Sequence, residues 1–244
     1  MNEALLRILR QAKNIVFFGG AGVSTESGIP DFRSANGIYA EGGEIPPEEI
    51  LSHTFFLSHP AQFYDFYRRH MLYPAAQPNR AHRALARLEA AGRLSAVVTQ
   101  NIDGLHQAAG SRAVWELHGS VHRNTCLGCG RRYPLSFILE TEGVPRCPVC
   151  SAIVKPDVVL YEESLDEKCL NGAIRAIAAA DTLLIGGSSL AVYPAASLTR
   201  YFRGRSLVIL NLSPTPQDDA ADLLVAEPIG DALGGAVDAL FAEG

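Results

Sequence analysis

Apolar and polar positions along the chain follow two alternating rhythms. Leu5, Ile8, Leu9 and Ala12 recur at helical spacing, and directly after them Ile15-Val16-Phe17-Phe18 form an unbroken apolar run. A run of that kind, bounded by a turn, is expected of a strand buried on both faces. The helical period returns from Ala81 to Ala91, where Leu85 and Leu88 lie one turn apart and Gly92 is placed to close the helix. A further helix is expected over Asp166 to Ala180. Short apolar segments predict strands at Ala96-Val97-Val98, Val114 to Leu117, Val158-Val159-Leu160, Leu183-Leu184-Ile185 and Leu207 to Leu212. Repeated alternation of helix and strand implies an α/β fold, a Rossmann-like and mostly parallel sheet with helices on both faces.

Two stretches interrupt the rhythm. Residues 38–80 are rich in proline and aromatics, with Phe55, Phe56, Phe63, Tyr64, Phe66 and Tyr67 at mixed spacing, and read as a small helical insertion. Residues 123–152 hold Cys126-x2-Cys129 and Cys147-x2-Cys150, separated by seventeen residues. That spacing suits a closed tetrahedral zinc site, with two disulfides or a redox pair as the competing readings. Four thiolates leave no open coordination position, so the metal is expected to be structural. The remaining segments, 1–37, 81–122 and 153–244, make up the Rossmann-like domain. Cys169 falls on the apolar face of the Asp166–Ala180 helix and reads as a core residue.

Composition narrows the class. The chain has 244 residues, 48% hydrophobic and 19% charged, which is the balance of an ordinary globular protein and not of a disordered one. The longest apolar region, Ala173 to Ala196, is broken by Arg175 and Asp181, so no membrane span is expected. Residues Met1 to Lys13 lack the apolar stretch of a signal peptide, and a cytoplasmic location follows. A formal net charge of −5 offers no global attraction for nucleic acid, and direct nucleic-acid binding is not expected.

Candidate chemistry comes from the loops that follow the strands. Gly19-Gly20-Ala21-Gly22, Thr99-Gln100-Asn101-Ile102-Asp103, His118-Gly119, Gly186-Gly187-Ser188-Ser189 and Asn211-Leu212-Ser213 all gather at the carboxyl edge of a parallel sheet, where open α/β sheets bind ligands. Gly20-Ala21-Gly22 lets a backbone approach a pyrophosphate, or simply makes a tight strand-to-helix turn. Thr25 stands where a third glycine completes the dinucleotide fingerprint, and no acidic residue ends the next strand, which disfavours a hydride-transfer dehydrogenase. His118 ends an apolar strand at the ligand edge, a place that suits a general base, although the residues alone favour a buried structural histidine there. His53, His59, His70, His82 and His122 have no such context, and His106 reads as structural. Asp31 and Asp103 offer a paired-carboxylate reading with no separation set by the sequence. Arg33 suits either a phosphate or a surface acid.

Taken together, Gly20-Ala21-Gly22-Val23-Ser24, Gly28-Ile29-Pro30-Asp31-Phe32-Arg33, Thr99-Gln100-Asn101-Ile102-Asp103-Gly104-Leu105-His106, His118-Gly119, both cysteine pairs, Gly187-Ser188-Ser189-Leu190 with Pro194, and Asn211-Leu212 resemble the sirtuin family. They occur in family order over nearly the whole chain. Departures are Gly19 for the usual threonine, Ser188 where threonine is common, Lys155-Pro156 for Arg-Pro, and Tyr161-Glu162-Glu163 for Phe-Gly-Glu. The last of these bears on peptide preference. The chain looks like the compact bacterial kind.

The resemblance implies an NAD-dependent protein-lysine deacetylase with one structural zinc ion on Cys126, Cys129, Cys147 and Cys150. NAD is expected across the carboxyl edge, with Gly20, Ala21, Gly22, Thr25 and Arg33 near its phosphates and ribose. Gln100, Asn101, Ile102 and Asp103 are expected at the nicotinamide, and Gly187, Ser188, Ser189, Asn211 and Asp231 at the adenosine half. Phe32 covers the reacting ribose. His118 and Asn101 are the expected catalytic residues, His118 taking a proton from a ribose hydroxyl so that O-acetyl-ADP-ribose and free lysine result. The acetyl-lysine peptide is expected to add as a strand between Val159–Tyr161 and Ala191–Tyr193. The alternatives are an NAD-dependent mono-ADP-ribosyltransferase and a non-enzymatic NAD-sensing module. Family members that remove acidic acyl groups resemble one another in a Tyr-x-x-Arg pair. In Phe63-Tyr64-Asp65-Phe66-Tyr67-Arg68-Arg69 neither arginine has a tyrosine three residues before it, so an uncharged acyl group is expected.

Overall fold

The apolar runs become strands and the helical periods become helices. In the computed structural model, which describes residues 2–34, 37–40 and 44–242, the chain opens with α1 (Glu3–Gln11), β1 (Ile15–Gly19), α2 (Pro47–Ile50), α3 (His53–Ser58) and α4 (Pro60–His70). It continues through α5 (Arg80–Ala90), β2 (Leu94–Thr99), α6 (Leu105–Ala108), β3 (Val114–Glu116), β4 (Gly119–Cys126) and β5 (Arg132–Tyr133). Then come α7 (Leu135–Glu140), β6 (Val154–Val158), α8 (Glu167–Ala179), β7 (Thr182–Gly186), β8 (Ser206–Leu210), β9 (Leu223–Val225) and α9 (Ile229–Ala242). Residues 41–43, inside the expected helical insertion, lie outside the described residues.

Six strands form one sheet in the order β3-β2-β1-β7-β8-β9, and every pair in it is parallel. Because successive side chains point to opposite faces, β1 feeds two cores at once. Ile15 and Phe17 pack with α1, α5 and α9 through Leu9, Leu85, Leu88, Leu233 and Val237. Val16 and Phe18 pack with α8 through Ala173 and Ile177 on the other face. Local chemistry stops and starts the helices as expected. Asn79 caps α5 in a reciprocal box with His82, Gly92 follows α5 at φ +69°, and the Asp166 carboxylate accepts from Cys169 N (2.7 Å) at the start of α8.

A second sheet, β5-β4-β6, is antiparallel, and α4 covers it with Phe63, Tyr64 and Tyr67. Here the strand expected at Val158-Val159-Leu160 needs correction. The strand is Val154–Val158, it belongs to the small sheet, and it ends where the expected one begins. Val154, Pro156 and Val158 are buried while Lys155 and Asp157 are half-buried, a two-residue period that Pro156 obscures in the sequence. Two further elements, β9 and α9, were not foreseen. In α9 the glycines at 234 and 235 dilute the helical signal, yet Gly234 is needed because a Cβ there would sit 2.5 Å from Arg80 Cγ. Among the described residues no helix is long and apolar enough to cross a membrane.

Candidate active site

The loops after β1, β2, β7 and β8 are tied to one another through the backbone. Gly20 N–H donates to Gly186 O (3.1 Å), Gly22 N–H to Gly187 O (2.8 Å), Gln100 N–H to Gly19 O (2.9 Å) and Gly187 N–H to Leu210 O (3.1 Å). The first and third of these loops touch main chain to main chain. A Cβ on Gly22 would lie 2.8 Å from Gly187 Cα, and one on Gly187, which holds φ +56°, would lie 2.3 Å from Val23 N. The glycines are therefore set by loop-on-loop contact. That contact leaves the Ala21 N–H without a partner among the described residues, and such a group is suited to an anion.

A polar floor spans the gap between the β1 and β2 loops. The Asn101 side-chain amide donates to Ser24 Oγ (3.1 Å), and Ser24 Oγ donates to Asp103 Oδ2 (2.7 Å). Asp103 Oδ1 also accepts from Leu105 N (2.9 Å), and the His122 ring donates through Nε2 to Asp103 O (3.0 Å). Asn101 and Ser24 are buried, so these bonds are the ones that keep their polar groups satisfied. Ser24 and His122 were not singled out from sequence. A serine inside a glycine loop carries no mark of the carboxylate it will meet 79 residues later.

His118 stands at the end of β3 with its Nδ1 2.9 Å from Gln100 O. A carbonyl accepts, so Nδ1 carries the proton and Nε2 keeps its lone pair. Burial holds His118 below the ordinary histidine value, and the bond to Gln100 works against that shift. The imidazole is thus neutral at neutral pH, with a bare nitrogen. Gln100 also links outward, since Ser188 Oγ lies 3.4 Å from its Oε1 while its buried Nε2 has no partner. An orphaned buried amide at this spot is a donor awaiting a ligand.

The other expected residues lie round this centre. Thr25 turns its hydroxyl to Gly22 O (3.0 Å), so as placed it braces its own loop. Phe32 sits edge-on to Tyr39 at 5.5 Å, and the Arg33 guanidinium lies 5.4 Å from the centre of the same ring. Ile102 is half-buried against the aromatic core of α4. Ser189 follows Ser188, whose Oγ accepts from Leu190 N (3.2 Å). Asn211 leaves β8 with its N–H on Val225 O (3.1 Å) and its amide on Ser213 O (2.6 Å). Asp231 stands apart from the others in the first turn of α9, largely exposed and 3.5 Å from Arg80. Only its neighbour Gly230 reaches the first loop, donating to Glu26 Oε1 (2.8 Å). Asp31 Oδ1 accepts from Ser34 N (2.8 Å), a bond within its own turn. Beneath the floor His106 and His82 lie with ring centres 4.7 Å apart, both fully buried.

The four cysteines meet between the knuckles of the small sheet. Their sulfurs all lie within 4.8 Å of one another, with Cys126–Cys150 at 3.3 Å and Cys129–Cys147 at 3.6 Å. Zinc–thiolate bonds of about 2.3 Å give a tetrahedral edge near 3.8 Å, so the set fits one closed zinc site.

A family model described as the Sir2 family matches residues 20–194. The chain is similar to a protein from Clostridium perfringens named NAD-dependent protein deacetylase, 58% identical over 237 residues, covering 96% of this chain and 97% of that protein. A protein of the same name from Cutibacterium acnes is 56% identical over 95% of each chain. Among solved structures, a Sir2 variant with a deacetylated p53 peptide and 3′-O-acetyl ADP ribose superposes with a TM-score of 0.89 at 40% identity, covering 97% of both chains. A Sir2 homolog–NAD complex superposes with a TM-score of 0.90 at 34% identity, covering 100% of this chain and 95% of that one. The chain belongs to the Sir2 family, the sirtuins.

Proposed function

We propose that this chain is an NAD-dependent protein-lysine deacetylase, and that His118 is its general base. The observation that carries the assignment is the His118 ring, neutral, with Nδ1 committed to Gln100 O and Nε2 bare, next to the Ser24–Asn101–Asp103 floor. The named activity of relatives 58% and 56% identical supports the same reading.

Bound NAD supplies a ribose carbon activated by a cationic, neutral-leaving nicotinamide. The chain's own groups do the rest. Gly20, Ala21, Gly22, Thr25 and Arg33 take the phosphates and ribose. Gln100, Asn101, Ile102 and Asp103 hold the nicotinamide end, with the Gln100 Nε2 as a spare donor. Asn101, anchored through its amide nitrogen, presents its oxygen to the reacting centre and orients it. Gly187, Ser188, Ser189, Asn211 and Asp231 take the adenosine half, and Phe32 excludes water. His118 Nε2 accepts the proton of a ribose hydroxyl, which lets that oxygen capture the acetyl carbon. Cys126, Cys129, Cys147 and Cys150 hold one zinc ion with a structural role. The zinc unit, expected over 123–152, takes in the flanking strands β4 and β6, with 38–80 as the helical unit and the remainder as the Rossmann-like unit.

The peptide adds as a strand beside Val159–Tyr161. Val159 N–H donates to His118 O (2.9 Å), Leu160 N–H to Glu163 Oε2 (2.9 Å) and Tyr161 N–H to Leu51 O (3.0 Å). The Val159 carbonyl and the Glu162 N–H have no partner among the described residues and are the groups left for substrate. An acetyl group, or another uncharged one, is favoured because the arginines of α4 are occupied elsewhere. A cytoplasmic location belongs to the same reading.

Mass spectrometry on an acetyl-lysine peptide, with and without NAD, tests the function. The expected result is NAD-dependent loss of acetyl with O-acetyl-ADP-ribose as co-product. An ADP-ribosylated peptide indicates the transferase alternative, and binding of NAD without nicotinamide release indicates the sensing module.

A further inference from the structure

The peptide edge and the cofactor loop touch through one hydrogen bond. The hydroxyls of Tyr161 and Tyr39 lie 2.8 Å apart, one donating to the other. Tyr161 is held from both sides before that bond is made. Its N–H donates to Leu51 O (3.0 Å) and its carbonyl accepts from His53 N (3.0 Å). Glu162 follows at φ +75°, a conformation disfavoured for a residue with a Cβ, and its Oε2 accepts from Thr54 N (2.9 Å) and Thr54 Oγ1 (2.7 Å). Glu163 accepts from His53 Nδ1 (2.8 Å) and Lys155 Nζ (3.1 Å). The Tyr161 backbone is therefore placed by its neighbours, while its ring stays exposed and is tied through its hydroxyl to Tyr39.

Tyr39 is equally tied to the cofactor side. Its N–H donates to Phe32 O (3.0 Å), and Ile38 N–H donates to Asp31 O (2.9 Å), tying Ile38 and Tyr39 back to Asp31 and Phe32. Gly37 packs inside the closure, since a Cβ there would lie 2.7 Å from the Phe32 carbonyl carbon. The Tyr39 ring meets Phe32 edge-on and receives the Arg33 cation. Phe32 and Arg33 thus share the Tyr39 ring as a common contact. Burial, with the bond to Tyr161 in second place, raises the Tyr39 phenol pKa, so Tyr39 keeps its hydroxyl proton over the working range.

We propose that Tyr39 and Tyr161 are a positioning pair that couples binding of the acyl-lysine peptide to binding of NAD. The inference rests on the deacetylase reading, in which the peptide lies along Val159–Tyr161 and NAD lies under Phe32 and Arg33. A strand laid beside Tyr161 fixes its ring, the hydroxyl bond fixes Tyr39, and Tyr39 sets Phe32 and Arg33 over the ribose. By linkage the effect is reciprocal: NAD tightens peptide by the factor by which peptide tightens NAD. Tyr161 stands where the family pattern carries phenylalanine, so the hydroxyl is the atom that creates the link.

The test is calorimetry of an acetyl-lysine peptide with and without carba-NAD, whose nicotinamide bond cannot be cleaved, on the wild type, Tyr161→Phe, Tyr39→Phe and the double variant. The wild type is expected to bind peptide more tightly with carba-NAD present. Each single variant is expected to lose about two- to tenfold of that enhancement, the worth of one hydrogen bond, and the double variant no more than either single. Enhancement that survives in all three variants, losses that add in the double variant, or a wild type that binds both ligands independently overturns the proposal. A wild type that binds neither ligand overturns the deacetylase reading beneath it. Should Tyr161→Phe lose its fold in a thermal melt, Tyr39→Phe carries the test alone.

Discussion

The edge of the parallel sheet and the antiparallel sheet beside it hold polar groups in place by opposite means. At the parallel edge the backbone does it. Gly20, Gly22 and Gly187 let two loops lie main chain on main chain, over strands such as β1 in which all five residues are buried. The antiparallel sheet has no second layer of that kind. One of its strands, β5, is two residues long, and Cys129 and Cys150 are exposed. Its order comes from side chains: four sulfurs, and the aromatic cover of Phe63, Tyr64 and Tyr67. Yet the two regions are consecutive in the chain. His118 belongs to the first and Gly119 begins the second, turning at φ +76° where a Cβ would meet Asp157 O at 1.9 Å. The strand that leads to Cys126 is thus joined to the base by one peptide bond.

The hardest way to break this contrast is to remove the metal. Structural zinc contributes about 10–16 kcal/mol to folding in small zinc domains, far more than three short strands supply. Chelation, or Cys147→Ser, is expected to abolish amide protection across β4, β5 and β6 and to abolish activity. Protection in β1, β2 and β7 is expected to persist. Hydrogen exchange read by mass spectrometry decides it. Loss of protection in both sheets together shows one cooperative unit and ends the contrast.

A second test separates the base from the scaffold around it. His118→Ala removes a ring whose one protein bond goes to a carbonyl, so the fold should stand while the rate falls about 10²–10⁴-fold. Because burial lowers the His118 pKa, the acid limb of kcat/KM for the wild type is expected below 6.5, the ordinary histidine value. A folded variant with an undiminished rate removes His118 from the mechanism, and an acid limb above 6.5 contradicts its neutral, buried setting.

The same contrast explains what could be read from the sequence. Elements whose partners are near, or whose burial is complete on both faces, were plain: β1 and β7 as apolar runs, α5 with Gly92 behind it, and two cysteine knuckles with fixed spacing. Features that depend on a distant partner were not. Val158–Leu160 looked like an interior strand because three apolar residues in a row do not reveal that the chain turns after Val158 to meet His118 O and Leu51 O. Ser24 joins Asn101 to Asp103, and Tyr39 meets Tyr161 across 122 residues. None of these has a periodicity to betray it. The expected ligand edge was legible as a set of loops, and its wiring was not.

Acid offers a finer probe, aimed at the parallel-sheet side alone. Burial pushes His82 down to about 4 and His106 to about 3, and neither ring nitrogen of His106 has a partner. Folded values below the unfolded 6.5 mean that the unfolded chain binds more protons as pH falls, so this contribution is complete above 6.5 and is lost below it. Each histidine should remove about 2 kcal/mol of stability by pH 5. His106→Leu breaks no hydrogen bond, and it is expected to flatten the fall in urea stability between pH 7 and 5. A zinc-release indicator run alongside assigns the loss to its side: a fall that tracks metal release, unchanged in His106→Leu, places the acid-sensitive element in the antiparallel sheet instead.

The smallest effect is expected within the small-sheet side, where α4 is braced to α7. Arg68 on α4 donates through Nε to Ile138 O (3.1 Å) and through one terminal nitrogen to Thr141 O and Gly143 O (both 2.7 Å) at the end of α7. Tyr64 donates its hydroxyl to Val154 O, Tyr67 is fully buried, and Arg69 pairs with an exposed Asp65 on its own helix. Both arginines of α4 and the Tyr64 hydroxyl are thus spent on the fold or face outward, and the buried Tyr67 hydroxyl is left without a partner among the described residues. A buried acidic acyl chain needs a charged partner to offset its desolvation, and neither arginine of α4 is available to it. Succinyl-lysine peptide is therefore expected to give kcat/KM well below that of the matched acetyl peptide. Arg68→Lys keeps the charge but cannot span three carbonyls, so it should lower stability by about 1 kcal/mol. Because its role is that of a brace, the succinyl-to-acetyl ratio should stay where it was. A ratio that moves with Arg68 places the arginine at the acyl group, and makes α4 part of the active site and not the cover of the small sheet.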